Sequence, residues 1–73
     1  MSTKKISREQ LRAALALIDM KPEQLADAAG VSPAVIAEFE RAGLVPHERT
    51  FIAVIEALEA RGVEFIERGV KMR

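Results

Sequence analysis

Residues 22–43 read PEQLADAAGVSPAVIAEFERAG and contain two helix starts with a stop between them. Pro22 suits the first position of a helix, where an N–H group would have no partner. Gly30 suits the left-handed residue that ends a helix, and Ser32-Pro33 is a capping residue followed by a second helix-starting proline. This spacing predicts two helices joined by a tight turn. The predicted helices span about 22–29 and 33–41.

Two helices joined by a short turn that contains glycine form a helix-turn-helix arrangement, and the side chains of this segment fit its packing. Ala26 is small where the second helix must cross the first, and Val31 is placed to fill the turn. Ile36 and Phe39 lie three residues apart and give the second helix an apolar stripe. The alternative is an αα corner inside a small helical bundle.

Two further helices are predicted on either side of this motif. Ser7 and Gln10 have the spacing of a capping box at the start of a first helix, whose apolar residues recur every three or four positions. A fourth helix is predicted over about 48–60, with Gly62 as its stop. The inward-facing residues of these two helices are Leu11, Ala14, Leu15, Ile18, Phe51, Val54, Ile55 and Leu58.

The tail of the chain changes from helical to strand periodicity. Residues 63–66 are mostly β-branched or aromatic, and residues 70–73 alternate apolar and charged, which predicts a short hairpin. Glu67-Arg68-Gly69 is the predicted turn, with a positive φ expected at Gly69. Because an isolated hairpin is marginal in water, we expect it to pack on the helices or to pair with a second copy of the chain through its open edge.

Length and composition limit the possible classes of protein. A chain of 73 residues, 49% of them hydrophobic, is a single globular domain whose small core favours a partner subunit. It has no Cys and one His, so we predict no disulfide, metal or other cofactor, and no small-molecule ligand is evident. No apolar run approaches the roughly 20 residues of a membrane span. We therefore expect a cytoplasmic protein without a membrane partner.

The formal net charge is zero, but the charges are unevenly distributed. Residues 1–18 carry a net +3, residues 19–60 a net −5 and residues 61–73 a net +2. This pattern indicates a basic arm and a basic tail around an acidic helical body, although ordinary solvated faces would give a similar imbalance. The predicted layout is a flexible basic arm over 1–6, a helix-turn-helix domain over 7–61 and a hairpin over 62–73.

Residues 11–58 resemble the Xre/Cro-repressor family of helix-turn-helix DNA-binding domains. The residues that carry the resemblance are QLADAAGVS at 24–32, Ile36, Glu40, Arg41, Pro46 and Thr50. The tail ALEARGVEFI at 57–66 is similar to small bacterial members that end in a β-hairpin. The family implies a mainly α fold, a four-helix repressor-like domain with a short C-terminal β-hairpin. It also implies a dimer that binds double-stranded DNA and represses or tunes transcription.

In that family the recognition helix, residues 32–41 here, lies in the major groove, and its first residues reach base edges. The corresponding base-facing residues are Pro33, Ala34, Val35, Ala37 and Glu38. None of them is an Arg, Lys, Asn or Gln, the side chains that read guanine and adenine through paired hydrogen bonds. The resemblance therefore implies methyl contacts with thymine from Ala34 and Val35, and acceptance from a cytosine amine by Glu38.

Phosphate contacts are expected from residues around the motif. The family often has a polar residue where this chain has Pro22, so Lys21 is expected to supply that contact. The family also pairs Glu40 with an arginine of the first helix, where this chain has Leu15, which leaves Arg12 or solvent for Glu40. The candidate backbone contacts are Lys4, Lys5, Arg8, Lys21, Gln24, Ser32, His47 and Arg49. The arm has a second interpretation as a solubilising terminus, and His47 as an ordinary surface residue.

We expect the last helix and the hairpin to join two copies of the chain. The candidate dimerisation residues are Val63, Phe65, Ile66, Val70 and Met72.

The serines have no plausible general base apart from His47, and the sequence contains no glycine-rich phosphate loop, so we predict that the chain is not an enzyme. The predicted function is a homodimeric transcriptional repressor that binds DNA through its helix-turn-helix. The alternative is a protein-interaction module or antitoxin-like regulator with weak or no DNA binding. The apolar and acidic recognition helix favours this alternative.

Overall fold

The structure, a computed structural model, describes residues 5–73 as four helices followed by a two-stranded hairpin. The elements are α1 (Arg8–Leu17), α2 (Pro22–Ala29), α3 (Pro33–Ala42), α4 (Glu48–Glu59), β1 (Val63–Ile66) and β2 (Gly69–Met72). The prediction of a mainly α, four-helix domain with a C-terminal β-hairpin is confirmed. The boundaries predicted for the two motif helices agree with the structure to within one residue.

The first helix begins with the predicted capping box. Ser7 Oγ accepts a hydrogen bond from Gln10 N–H (3.1 Å), and Gln10 Oε1 accepts one from Ser7 N–H (2.9 Å). Ile6 and Leu11 flank this box at the spacing of a hydrophobic staple, and both are buried. Ile6, which the predicted layout placed in the arm, therefore packs in the core.

The turn between α2 and α3 has the predicted conformation. Gly30 ends α2 with a φ of +70°, in the left-handed region that glycine adopts without strain. Val31 N–H donates to the carbonyl of the buried Ala26 (2.9 Å). Ser32 Oγ caps α3 by accepting from Ala34 N–H (3.2 Å). These bonds reverse the chain between the two helices and set α3 against α2.

One core joins the four helices and the hairpin. Phe39 of α3 and Phe51 of α4 pack edge to face with their ring centroids 5.3 Å apart, an arrangement that contributes roughly 0.5–1.5 kcal/mol beyond burial. The predicted inward-facing residues are buried, except Ile18, which is half-buried against the core. The core residues are Ile6, Leu11, Ala14, Leu15, Leu25, Ala26, Ile36, Phe39, Phe51, Val54, Ile55, Leu58 and Val63.

The hairpin packs on the helices, the first of the two arrangements expected for it. Strands β1 and β2 are antiparallel, with Phe65 opposite Val70, and both residues pack against the core. Gln10 Nε2 donates to the carbonyl oxygens of Ile66 (2.8 Å) and Gly69 (3.1 Å). These two bonds fix the closed end of the hairpin to α1.

The hairpin turn differs from the prediction in one backbone angle. Gly69 already belongs to β2 and pairs with Ile66, so the loop contains only Glu67 and Arg68. The positive φ falls at Arg68 (+62°) and not at Gly69. The prediction of a positive φ at Gly69 is therefore wrong, because it assumed a loop that was one residue longer.

Candidate nucleic-acid interface

The outward face of α3 is one continuous stripe of four residues. Ala34, Ala37, Glu38 and Arg41 follow each other at intervals of three, one and three residues, which places them on one side of a helix. Ile36 and Phe39 hold the opposite side in the core. We refer to the four outward residues as the α3 stripe.

The predicted base-facing residues divide between this stripe and its margins. Ala34, Ala37 and Glu38 belong to the stripe, and Pro33 is exposed at the first position of α3. Val35 is half-buried at the side of the helix. The structure therefore brings the predicted set onto one end of one helix.

Arg41 completes the stripe, and the sequence-based candidate set omitted it. Its side chain is 70% exposed, and its Nη2 lies 2.6 Å from Glu38 Oε1. The hydrogen bond to Glu38 and the attraction of that carboxylate raise the pKa of Arg41 above its usual value. The helical spacing from Ala34 and Ala37 was a signal that could have identified it. The exposed face of α3 thus carries a cation beside its acidic residue.

An apolar depression lies beside the stripe. Leu44 and Val45 of the loop between α3 and α4 are 58% and 66% exposed. With their neighbours they form the walls of the depression, whose volume is about 250 Å³. The depression is lined by Ala34, Val35, Glu38, Leu44, Val45 and Pro46. Nothing in the local sequence pattern shows that this loop folds back onto α3.

Two arginines of α1 hold the C-terminal end of α3. Arg8 Nη1 donates to the carbonyl of Arg41 (2.8 Å) and Arg12 Nη2 to that of Glu40 (2.8 Å). Arg12 Nε also lies 3.9 Å from Glu40 Oε1, so Arg12, and not solvent alone, is the partner of Glu40. Cationic donors at a helix C-terminus satisfy its free carbonyls and its dipole. Arg8, predicted as a phosphate contact, is thus bound to the end of α3.

The first turn of α2 carries two further candidates. Lys21 is exposed at the N-cap, and its N–H donates to Gln24 Oε1 (2.9 Å). This bond engages the oxygen of the Gln24 amide, whose nitrogen is the group that can donate to a phosphate. Ser32 Oγ is the cap of α3, as described above, and the residue is exposed.

The remaining cationic candidates lie before α1 and at the start of α4. His47 is exposed at the N-cap of α4, and Arg49 is exposed in the first turn of that helix, directly after the loop that borders the apolar depression. Lys5 is exposed ahead of α1. Lys4, also a candidate, lies outside the described residues.

The predicted dimerisation residues fall into two groups. Val63 is fully buried in the core of its own chain, and Phe65 and Val70 are half-buried against it. Ile66 and Met72 are 43% and 45% exposed. Of the five predicted residues, Ile66 at the closed end of the hairpin and Met72 at its open end therefore leave the most surface for a second copy to reach, because the others pack on their own helices.

Residues 5–73 lack the arrangements that two other kinds of site require. In that part of the chain, no group of three or more His, Cys, Asp or Glu side chains is arranged to hold a metal ion. None of the helices described is long and apolar enough to cross a membrane.

A family model described as Helix-turn-helix, of the Xre/Cro type, matches residues 11–66. The matched segment contains α2, the turn, α3, α4 and β1, and most of α1. Among curated proteins, none matches the chain. The family consists of DNA-binding regulators and is not a family of enzymes. Since the match covers well over half of the residues, the chain belongs to the Xre/Cro-type helix-turn-helix family of DNA-binding transcription regulators.

Proposed function

We propose that this protein is a sequence-specific repressor that binds double-stranded DNA as a homodimer, with α3 in the major groove. The observation that carries the proposal is the α3 stripe. The core holds α3 by Ile36 and Phe39, which leaves the stripe, on a helix about 15 Å long, free to enter a groove about 12 Å wide.

Backbone contacts would flank the stripe on both sides. Lys21 and Gln24 at the start of α2 supply a cation and an amide donor, and Ser32 lies at the start of α3. His47 and Arg49 follow the loop after α3. Such contacts fix the register of a protein on DNA without reading its sequence. Lys4 and Lys5 precede α1 in the sequence and would add an arm that follows the phosphates.

A homodimer would form through the hairpin. Each strand of a two-stranded sheet has one edge without a partner strand, and such an edge is a template for pairing with another chain. Ile66 of β1 and Met72 of β2 add exposed apolar surface, one beside each free edge. A two-fold dimer of this family type presents its recognition helices to half-sites about 34 Å apart. Repression then follows because a dimer lying in two successive major grooves blocks access to that face of the DNA.

The salt dependence of binding to random duplex DNA tests this proposal. We expect affinity to fall steeply between low and moderate salt, because phosphate contacts release counterions. Arg49→Ala should reduce the slope of log K against log salt by about one, the loss of one phosphate contact. Arg61→Ala is the matched control, since Arg61 lies beyond the far end of α4 and donates to the Ala57 carbonyl (3.0 Å). Failure to bind duplex DNA even at low salt would contradict the proposal.

A second candidate function is a protein-interaction module or antitoxin-like regulator, and the apolar depression beside the stripe favours it. Leu44 and Val45 are large apolar side chains that stay exposed next to α3. If that surface served a protein partner, Leu44→Lys would abolish partner binding and leave the affinity for DNA unchanged. In a DNA-binding protein the same change would raise the affinity for random duplex, because it adds a cation close to the groove.

A further inference from the structure

Glu38 and Arg41 present a hydrogen-bond acceptor and hydrogen-bond donors side by side on the α3 stripe. Arg41 Nη2 and Glu38 Oε1 are 2.6 Å apart. The two side chains are 70% and 45% exposed, respectively, so much of the guanidinium and of the carboxylate faces outward. The pair therefore presents a hydrogen-bond acceptor and hydrogen-bond donors next to each other on the surface, and its two charges sum to zero.

The surface next to this pair leaves room for a base edge. Ala37 lies about one helical turn before Arg41 and is exposed. Its single methyl group is part of the wall of a shallow depression of about 320 Å³, lined by Arg12, Ala37, Glu40 and Arg41. A longer side chain at position 37 would occupy the space through which a base edge approaches Glu38 and Arg41.

The major-groove edge of one C·G base pair has the complementary pattern. Cytosine offers its N4 amine as a donor, and guanine offers O6 and N7 as acceptors. N4 donates a hydrogen bond to O6 in the base pair, so the two atoms lie about 2.9 Å apart. That separation is close to the 2.6 Å between the acceptor of Glu38 and the donor of Arg41.

We propose that Glu38 and Arg41 act together as the reader of one C·G base pair in each half-site. Glu38 accepts from cytosine N4, and Arg41 donates to guanine O6 and N7. This inference rests on the DNA binding proposed above and adds the base that is read and a residue, Arg41, that the sequence did not identify.

Guanine is favoured over the other bases by the guanidinium. Guanine gives the planar fork of Arg41 two acceptors, and paired donation to these atoms is the commonest specific contact of arginine. Adenine gives it one acceptor, N7, and thymine gives it O4 beside a methyl group. The pairing also explains how an acidic residue can lie in the groove, since Arg41 compensates the charge that would repel phosphates.

Selection of bound sites from a library of random duplexes tests the inference with the full chain. We expect the unmodified protein to enrich a two-fold-related site that contains one C·G pair per half-site, preferred by roughly ten- to a hundredfold over the other pairs. Glu38→Ala should reduce this preference to a few-fold. Glu38→Gln should shift it towards A·T, because a glutamine amide pairs with adenine N6 and N7. Glu23→Gln removes one negative charge from α2 and is the control that should leave the preference unchanged.

The outcomes separate the two proposals. Enrichment of a two-fold site with A·T at this position, or the same C·G preference after Glu38→Ala, would overturn the reader and leave the repressor proposal standing. Failure of the unmodified protein to retain any duplex at low salt would overturn both. A C·G preference that falls to a few-fold with Glu38→Ala, shifts towards A·T with Glu38→Gln and is kept with Glu23→Gln would support the assignment of Glu38 to the reader.

Discussion

Arg68 occupies a backbone conformation that residues with a side chain rarely adopt. Its φ is +62°, and the left-handed region costs roughly 1–2 kcal/mol for a residue other than glycine. The conformation is retained because the pairing of Ile66 with Gly69 leaves only two residues to reverse the chain. The hairpin is therefore closed against a local backbone preference.

We expect Arg68→Gly to raise the free energy of unfolding by about 0.5–1 kcal/mol. Glycine removes the strain of the positive φ, and part of that gain is lost to its greater freedom in the unfolded chain. Urea unfolding followed by circular dichroism measures the change, since the chain has no Trp or Tyr. Glu67→Gly is the control, because Glu67 has no positive φ and should only lose stability. An equal loss in both variants would show that Arg68 is not strained.

At the scale of elements, α1 connects parts of the chain that are far apart in sequence. Gln10 uses its oxygen for the capping box with Ser7 and its nitrogen for the carbonyls of Ile66 and Gly69. One side chain therefore both starts α1 and attaches the hairpin to it. These two functions can be separated, because one needs an acceptor and the other a donor.

We expect Gln10→Glu to keep the capping box and to release the hairpin. A glutamate at this position still accepts from Ser7 N–H, but its carboxylate repels the two hairpin carbonyls, at a cost of about 1–2 kcal/mol. Amide hydrogen exchange should accelerate in β1 and β2 more than in α3. Ser7→Ala, which removes the cap and keeps the nitrogen of Gln10, is the matched control and should not show this selectivity. Uniform acceleration in Gln10→Glu would contradict the proposed attachment.

Local signals in the sequence were sufficient to predict the elements. Gly30, Ser32 and Pro33 determine where two helices end and begin, and such start and stop signals act over a few residues. The contacts between elements had no comparable signal. Nothing in the spacing of α1 shows that Arg8 reaches the carbonyl of Arg41, 33 residues later in the chain.

The candidate site was predicted in part for the same reason. Helical periodicity predicts which residues of α3 face outward, and it would also have included Arg41. The exposed position of Leu44 and Val45 beside α3 depends on how the loop folds back, which has no periodicity. The placement of Val63 in the core depends on which face of the hairpin packs on the helices. The alternation of residues along β1 does not by itself identify that face.

For the whole molecule, the arrangement of apolar surface indicates where a second copy would bind. Besides Leu44 and Val45 beside α3, the large apolar residues exposed in residues 5–73 are Leu17 on α1 and Ile66 and Met72 on the hairpin. Only the hairpin residues adjoin a strand edge. The proposed function requires that a dimer formed there leave the α3 stripe of each copy uncovered.

We expect the protein to be a dimer at tens of micromolar in sedimentation or light scattering, with a melting temperature that rises with concentration. Ile66→Lys should weaken association at least tenfold, because burying an unpaired ammonium costs more than about 1.4 kcal/mol. Leu17→Lys places the same charge on α1 and should leave association unchanged. A monomer mass for the unmodified protein at this concentration would contradict the dimer.

The bonds of Arg8 and Gln10 have a consequence for the geometry of an operator. Arg8 holds the end of α3 and Gln10, two residues later on the same helix, holds the hairpin. Thus α3 and the hairpin, through which we propose that two copies join, are both attached directly to a single turn of α1. The distance and the rotational phase between the two reading helices of a dimer would then be constants of the protein. Inserting one base pair between the half-sites turns one of them by about 35° around the DNA axis, so the proposed repressor would discriminate between operators by half-site spacing as well as by base sequence.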